Sequence, residues 1–403
     1  MTSIEVATIR KILDSRGNAT VEVAVHAARA FGRAAAASGA STGVHEPPAF
    51  PKGGVDVAIR LFREEVGPKI HGLEVEDQAG LDGTLRDIDG TPNFARIGAN
   101  VATATSIANA KTAASAKGQP LFRYLGRRGK GTMPLPFGNV IGGGRHAIGG
   151  TTIQEYLVVS QGPRAVDNVF ANARVHRMVQ EALVKKIPGQ PLGRGDEGAW
   201  VAKLGDEDAL SLLADVCTMA SKEVGFPVRP ALDLAASEFF RDGKYHYHDH
   251  ALTPGKQVDF VERLVRTYGL FSVEDPFDQE HPASFADLTK RVGDRCKVIG
   301  DDIFVTDTKR LQKGIDMKAG NGILIKPNQI GTLSDTRAAV DLAHRAGFIT
   351  VMSHRSGETT DDAIAHLAVA WGCLGIKTGA VGGERIAKLN ELIRIEEQLE
   401  EGD

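Results

Sequence analysis

Through the second half of the chain, short apolar runs end again and again in a charged side chain. PVRPALDL carries Asp233, LFSVEDP carries Glu274 and KVIGDD carries Asp301. The series continues with Lys326 in GILIKPN, His354 in ITVMSHRS and Lys377 in CLGIKTG. After a longer first interval these positions recur about every 25 residues, the span of a strand, a helix and their loops. Strands that are apolar throughout are covered on both faces, as in a parallel sheet wrapped by helices. An open doubly wound sheet shares that alternation but gathers its site at one switch point. Charged residues at six successive strand ends fit a closed (β/α)8-type barrel better, because its functional groups sit at the carboxyl ends of the strands.

The chain has 403 residues, more than one typical domain. IEVATIRKILDSRGNATVEVAVHA reads as two strands around a turn at Ser15-Arg16-Gly17-Asn18. Residues 100–117 read as an amphipathic, alanine-rich helix with Ser, Asn and Lys on its polar face. The expected fold class is α/β, with a small N-terminal α+β domain at 1–125, a basic, glycine-rich linker at 126–133 and the barrel at 134–403. GRRGKGT in that linker lacks the GxxxxGK[ST] spacing of a phosphate loop. A net charge of -3 gives no reason to expect a nucleic-acid or membrane-surface partner. Cys217, Cys296 and Cys373 form no CxxC pair and read as reduced, buried thiols. The start, MTSIEVATIR, has no apolar signal core, and no apolar run approaches the ~20 residues of a membrane span. The expectation is a cytoplasmic, soluble protein.

If the barrel forms, Asp233, Glu274 and Asp301 converge from consecutive strand ends. Three carboxylates in one pocket cannot all stay ionised without a cation. Oxygen ligands without a nearby cysteine favour Mg²⁺ before Mn²⁺. Asp302 should turn away from Asp301 and pair with a basic group or a backbone donor. Lys326 and Lys377 suit either a general base or an anion contact, and Arg355-Ser356 suits a phosphate or carboxylate clamp. Three glycine-bearing loops allow close approach to a ligand: GASTG (39–43), VIGGGRHAIGG with His146, and GRGDEGAW with Asp196-Glu197. His246, His248 and His250 in HYHDH read as a solvated hairpin before a metal site.

DSRGNAT, SGASTG, GGGRHA, QEY, GDEG, ALDLAASEFF, SVEDPF, GDDIFVT, IKPNQIGTLSD, SHRSGET and IKTGA occur in this order along nearly the whole chain. Together they resemble the enolase family, the phosphopyruvate hydratases. The resemblance implies three strands and four helices beside a modified barrel. It implies reversible dehydration of 2-phosphoglycerate to phosphoenolpyruvate, with two Mg²⁺ ions, the second arriving with the substrate. It makes Asp233, Glu274 and Asp301 ligands of the first ion and Ser41 a ligand of the second. It makes Lys326 the general base and Glu197 the general acid, with Glu155 beside it. His146, Gln154 and His354 would contact the substrate, Lys377 its carboxylate, and Arg355 and Ser356 its phosphate. Glu22 and Arg394 match a pair found across a dimer interface, so a homodimer or higher homo-oligomer is expected. Departures are a shorter, proline-rich PPAFPKGG after Glu46, GDEGAW for GDEGG, RGNAT for RGNPT and Gly142 for an asparagine. None removes a catalytic side chain. Two alternatives stand beside this reading: the same chemistry on a different acid, or a non-catalytic binding protein with this fold.

Overall fold

The alternation near the N-terminus becomes an antiparallel sheet of β1 (Val6–Leu13), β2 (Ala19–Ala27) and β3 (Ala30–Ala35). A computed structural model describes residues 2–39, 43–126 and 133–401. Ser41 and most of the expected linker lie outside the described residues. The turn between β1 and β2 follows from DSRGN. Asp14 Oδ1 accepts hydrogen bonds from the backbone N–H groups of Arg16 (2.9 Å) and Asn18 (2.8 Å), and Gly17 takes a φ of +77°.

The helix Ala99–Ala116 crosses this sheet. Its alanines and Gly32 permit a close approach: a Cβ on Gly32 would stand 2.4 Å from the carbonyl oxygen of Ala108. The expected polar face is not solvated. Asn100, Ser106 and Asn109 are buried, because the helix lies between the sheet and the barrel. Their side chains satisfy buried backbone instead. Asn100 Nδ2 donates to Ala37 O at 3.0 Å, and Ser106 Oγ accepts from Leu333 N at 2.9 Å. The PPAFPKGG segment has a structural task here. The carbonyls of Pro48 and Ala49 accept from the N–H groups of Ala99 and Asn100, both at 3.0 Å. They cap a helix whose own N-cap, Gly98, has no side chain to do so.

The second unit is a closed barrel of eight strands: β4 (Leu135–Gly142), β5 (Glu155–Ser160), β6 (Val228–Asp233), β7 (Ser272–Glu274), β8 (Lys297–Gly300), β9 (Gly322–Ile325), β10 (Ile349–Ser353) and β11 (Gly375–Lys377). Pairing of β11 with β4 closes the ring. It departs from a regular (β/α)8 ring at β5, which runs antiparallel to both of its neighbours. Phe137, Leu157, Val159, Ala231, Phe271, Ile299, Leu324 and Val351 form one of the two buried apolar clusters, and each comes from a barrel strand or its edge.

The two units are pinned at several points. Ser38 and Gly357 exchange backbone hydrogen bonds at 2.7 and 2.8 Å. Lys111 Nζ donates to Asp361 Oδ2 at 3.0 Å. Burial pushes the Asp361 carboxyl up, but Lys111 and the Ala363 N–H reverse this and hold it below the usual range. A carboxylate depressed by folding contributes stability above its unfolded pKa and loses it as pH falls through the folded value. Lys111→Met should therefore cost roughly 2–3 kcal/mol in urea unfolding at neutral pH, somewhat less than for a fully buried pair. The deficit should shrink below the ordinary carboxylate range. An equal deficit at both pH values would assign the effect to lost packing.

Candidate active site

The barrel ends where its charged residues begin. β6 ends in Asp233 and β7 in Glu274, which face each other in register. Asp301, Lys326 and His354 each follow the last residue of β8, β9 and β10, and Lys377 closes β11. Because β5 is reversed, its first residue, Glu155, lies opposite Asp233 at the same rim. One cavity is lined by Gly39, His146, Gln154, Glu155, Glu197, Asp233, Asp301, Lys326, Ser353, His354, Arg355, Ser356 and Lys377. Glu274 reaches the same cluster through Lys377. The expected site residues therefore meet, apart from Ser41, which is outside the described residues. His246 and His250 do not converge on a shared ligand position: His246 Nε2 donates to Arg241 O at 3.2 Å and His250 Nδ1 lies 2.6 Å from Asp249 Oδ1.

Two ammonium groups stand among the acids. Lys377 Nζ donates to Asp233 Oδ2 at 2.8 Å and Glu274 Oε2 at 2.9 Å, and lies 3.2 Å from Glu155 Oε1. Lys326 Nζ donates to Asp301 Oδ2, whose other oxygen accepts from Gln329 Nε2 at 3.0 Å. Burial opposes the charge on both lysines, yet the carboxylates outweigh it and hold both above the usual lysine range. Burial and Asp233 push Glu274 well up against the pull of Lys377. Oxygen-only donors carrying surplus negative charge fit a hard divalent cation.

Asp302 does not turn away from Asp301: β8 ends at Gly300, so strand alternation no longer applies, and Asp275, Asp301 and Asp302 offer carboxylate oxygens within 4.8 Å of one another. Among the described residues Asp302 forms no ion pair. Burial, then the Asp301 charge, raises it to about 8. The backbone is held instead by Asp275, whose carboxylate accepts from the N–H groups of Asp301 (2.9 Å) and Asp302 (2.7 Å). The Asp302 side chain faces Gly43, where a Cβ would stand 3.1 Å from Oδ1.

At the opposite side of the cluster, His146, Glu155 and Glu197 offer donor atoms within 4.8 Å of one another. Burial and Glu197 raise Glu155. Burial would also raise Glu197, but its cationic and imidazole neighbours reverse that and hold it low. Two carboxyls this close titrate as one system, with Glu155 the more readily protonated of the pair. Asn139 Nδ2 donates to Glu197 Oε2 at 3.2 Å. His146 Nδ1, Gln154 Oε1, Glu155 Oε2 and His354 Nε2 are buried without a hydrogen-bond partner among the described residues. Such atoms are costly unless a ligand satisfies them.

Several functional neighbours were not singled out in the sequence. Arg355 donates from Nη2 to Glu46 at 2.8 Å and from Nη1 to Asn328 at 2.9 Å, so an acid of the N-terminal domain holds the clamp. Asn328 and Gln329 share the strand-end loop of Lys326, and that proximity was the available signal. Trp200 does not crowd the cavity. Its Nε1 donates to His176 O at 2.9 Å, and its ring packs 5.1 Å from that of His176. The indole thus anchors the GDEGAW loop on the helix Ala165–Lys186.

Two family models cover the chain: "Enolase, N-terminal domain" at residues 4–125 and "Enolase, C-terminal TIM barrel domain" at 130–403. The chain belongs to the enolase family. A curated protein named Enolase from Methanothermobacter thermautotrophicus is 50% identical over 402 residues, covering 98% of this chain and 97% of that one. Enolases from Natronomonas pharaonis and Picrophilus torridus are 52% and 46% identical, each covering 98% of this chain and 99% of its own. Enolases are Mg²⁺-dependent hydro-lyases, which agrees with the acidic groups at the barrel rim. No helix among the described residues is long and apolar enough to cross a membrane.

Lys377 holds two of the carboxylates that fit the cation, so its charge opposes cation binding there. Lys377→Met should bind Mg²⁺ more tightly than wild type, on the order of tenfold by calorimetry. Unchanged affinity would mean that the ammonium and the ion do not share these carboxylates.

Proposed function

We propose that the chain dehydrates 2-phosphoglycerate reversibly to phosphoenolpyruvate, in glycolysis and gluconeogenesis, with Lys326 as general base and Glu197 as general acid. The observation that carries this reading is the meeting of Lys326, Glu197, Arg355 and the acids of three adjacent strands around one buried cavity. Lys326 takes the proton α to the substrate carboxylate. Glu197 gives a proton to the departing β-hydroxyl, which leaves as water while the carbon–carbon double bond forms. Asp233, Glu274 and Asp301 would hold Mg²⁺, which would supply positive charge for the dianion that develops on the substrate carboxylate. A Lys base working beside one or two Mg²⁺ ions is a general feature of the enolase superfamily.

Each remaining group has a task that suits its surroundings. Asp301 keeps Lys326 protonated in the free protein, and Lys326 would be released to act as the base if Asp301 were taken up as a metal ligand. Glu155, the more readily protonated carboxyl of the pair, can pass its proton to Glu197. His146, Gln154 and His354 present their unpartnered polar atoms to the substrate, and Lys377 takes its carboxylate. Arg355 and Ser356 hold the phosphate, and a buried guanidinium in this place supports a phosphorylated substrate over an unphosphorylated acid. Ser41 would ligate a second Mg²⁺ that comes with the substrate.

We read residues 1–125 as a capping domain joined through 126–133 to the catalytic barrel at 134–403, in a cytoplasmic homodimer or larger homo-oligomer. Within the chain Glu22 lies 3.5 Å from Arg10, and Arg394 donates to Glu391 at 2.6 Å. An intersubunit pair between Glu22 and Arg394 therefore exchanges existing partners.

Lys326→Ala should abolish exchange of the α-proton of 2-phosphoglycerate in D₂O, followed by NMR, while Mg²⁺ affinity is kept. Continued exchange would move the base elsewhere. Glu197→Gln should permit exchange and block elimination. Equal loss of both would remove Glu197 from the role of leaving-group acid.

A further inference from the structure

Arg385, near the start of the helix Gly383–Glu401, is among the largest fully buried side chains of the protein. A guanidinium in the interior is stable only when its donors are used. Nη1 donates to His354 Nδ1 at 2.8 Å and to Arg355 O at 2.7 Å. Nη2 donates to Ser356 O at 2.6 Å and to Asp196 O at 3.1 Å. One side chain thus joins the loop after β10 to the loop that carries Glu197.

The contact with His354 differs from the other three. Arginine has only donors and does not give up its proton in proteins. His354 Nδ1 must therefore accept, and it carries no proton. A neutral imidazole in that position has its proton on Nε2. Nε2 faces the cavity, 3.2 Å from Glu197 Oε1 but off the line of a hydrogen bond. Protonation of Nδ1 would set two N–H groups against each other in a buried place.

We infer that Arg385 is a positioning residue that holds His354 as its neutral Nε2–H tautomer, so that His354 offers a fixed N–H donor to the active site. This rests on the reading of His354 and Glu197 as active-site groups. Held in this way, His354 can hydrogen-bond to the substrate or to Glu197 but cannot act as a competing acid or a proton shuttle. The charged groups that bear on the ring agree with this. Burial, together with Arg385 and Lys377 and against the pull of Glu197, brings His354 down to about 3.

The direct test is ¹⁵N NMR of the full chain with labelled histidine, with His354 assigned by comparison with His354→Gln. The wild type should show a pyridine-like Nδ1 and a pyrrole-like Nε2, unchanged from about pH 5 to 8, where an ordinary histidine titrates. A protonated Nδ1, or titration in that range, would overturn the inference. In Arg385→Met, His354 should begin to titrate, and kcat should acquire an acid limb of about tenfold per pH unit. Arg385→Lys, which keeps one cationic donor, should restore the wild-type tautomer and remove that limb. A uniform, pH-independent loss of kcat in Arg385→Met with the tautomer unchanged would leave Arg385 a purely structural role. If Arg385→Met does not fold, the wild-type and Arg385→Lys spectra decide alone. Failure of Glu197 as the acid would appear in Glu197→Gln exchange and would leave the wild-type spectrum as it is.

Discussion

The structure depends on how buried negative charge is balanced at one rim of the barrel. Glu155, Asp233, Glu274 and Asp301 meet there with little access to water, beside Glu197. Ionised groups in such a place are tolerated only when paired. Lys377 and Lys326 provide the counter-charge, and they stand on the carboxylates best suited to a divalent cation. The free site is therefore a set of groups that hold one another in the wrong state for catalysis. Lys326, the proposed base, is kept protonated by Asp301, and Glu197, the proposed acid, is kept low by its neighbours.

A second layer keeps these groups aligned. The N-terminal domain contributes Glu46 to Arg355, and Arg16 lies 3.1 Å from Asp196, next to the proposed acid. Trp200 anchors the same loop from below, and Arg385 fixes it to the loop of His354, Arg355 and Ser356. The capping unit and the barrel build the site jointly, so a substitution in either can act on catalysis without touching the substrate. The proline-rich segment after Glu46 belongs to this layer through its cap on the helix Ala99–Ala116.

Much of this was legible in the sequence because a barrel strand writes both its burial and its end into a few residues. The runs ending at Asp233, Glu274 and Lys377 are strands that stop there, and the runs before Asp301, Lys326 and His354 stop one residue earlier. The reversal of β5 was not legible, since Glu155 opens its strand while the others close theirs. The buried polar residues of the helix Ala99–Ala116 were misread as a solvated face, because periodicity cannot show that a second domain covers it. Arg385 was missed for a related reason: its role comes from three carbonyls and a ring nitrogen that are distant in sequence. Assignment of catalytic roles came from the family resemblance, since residue types alone left either lysine open as the base.

The most direct measurement is formation of phosphoenolpyruvate from 2-phosphoglycerate, followed by ultraviolet absorbance, first with Mg²⁺, then with excess chelator, then with Mg²⁺ restored. The account predicts turnover that stops with the chelator and returns with the ion, because a cation must take the carboxylates that Lys326 and Lys377 hold in the free protein. Turnover that persists in chelator, or its absence in folded, Mg²⁺-bound protein, would contradict it.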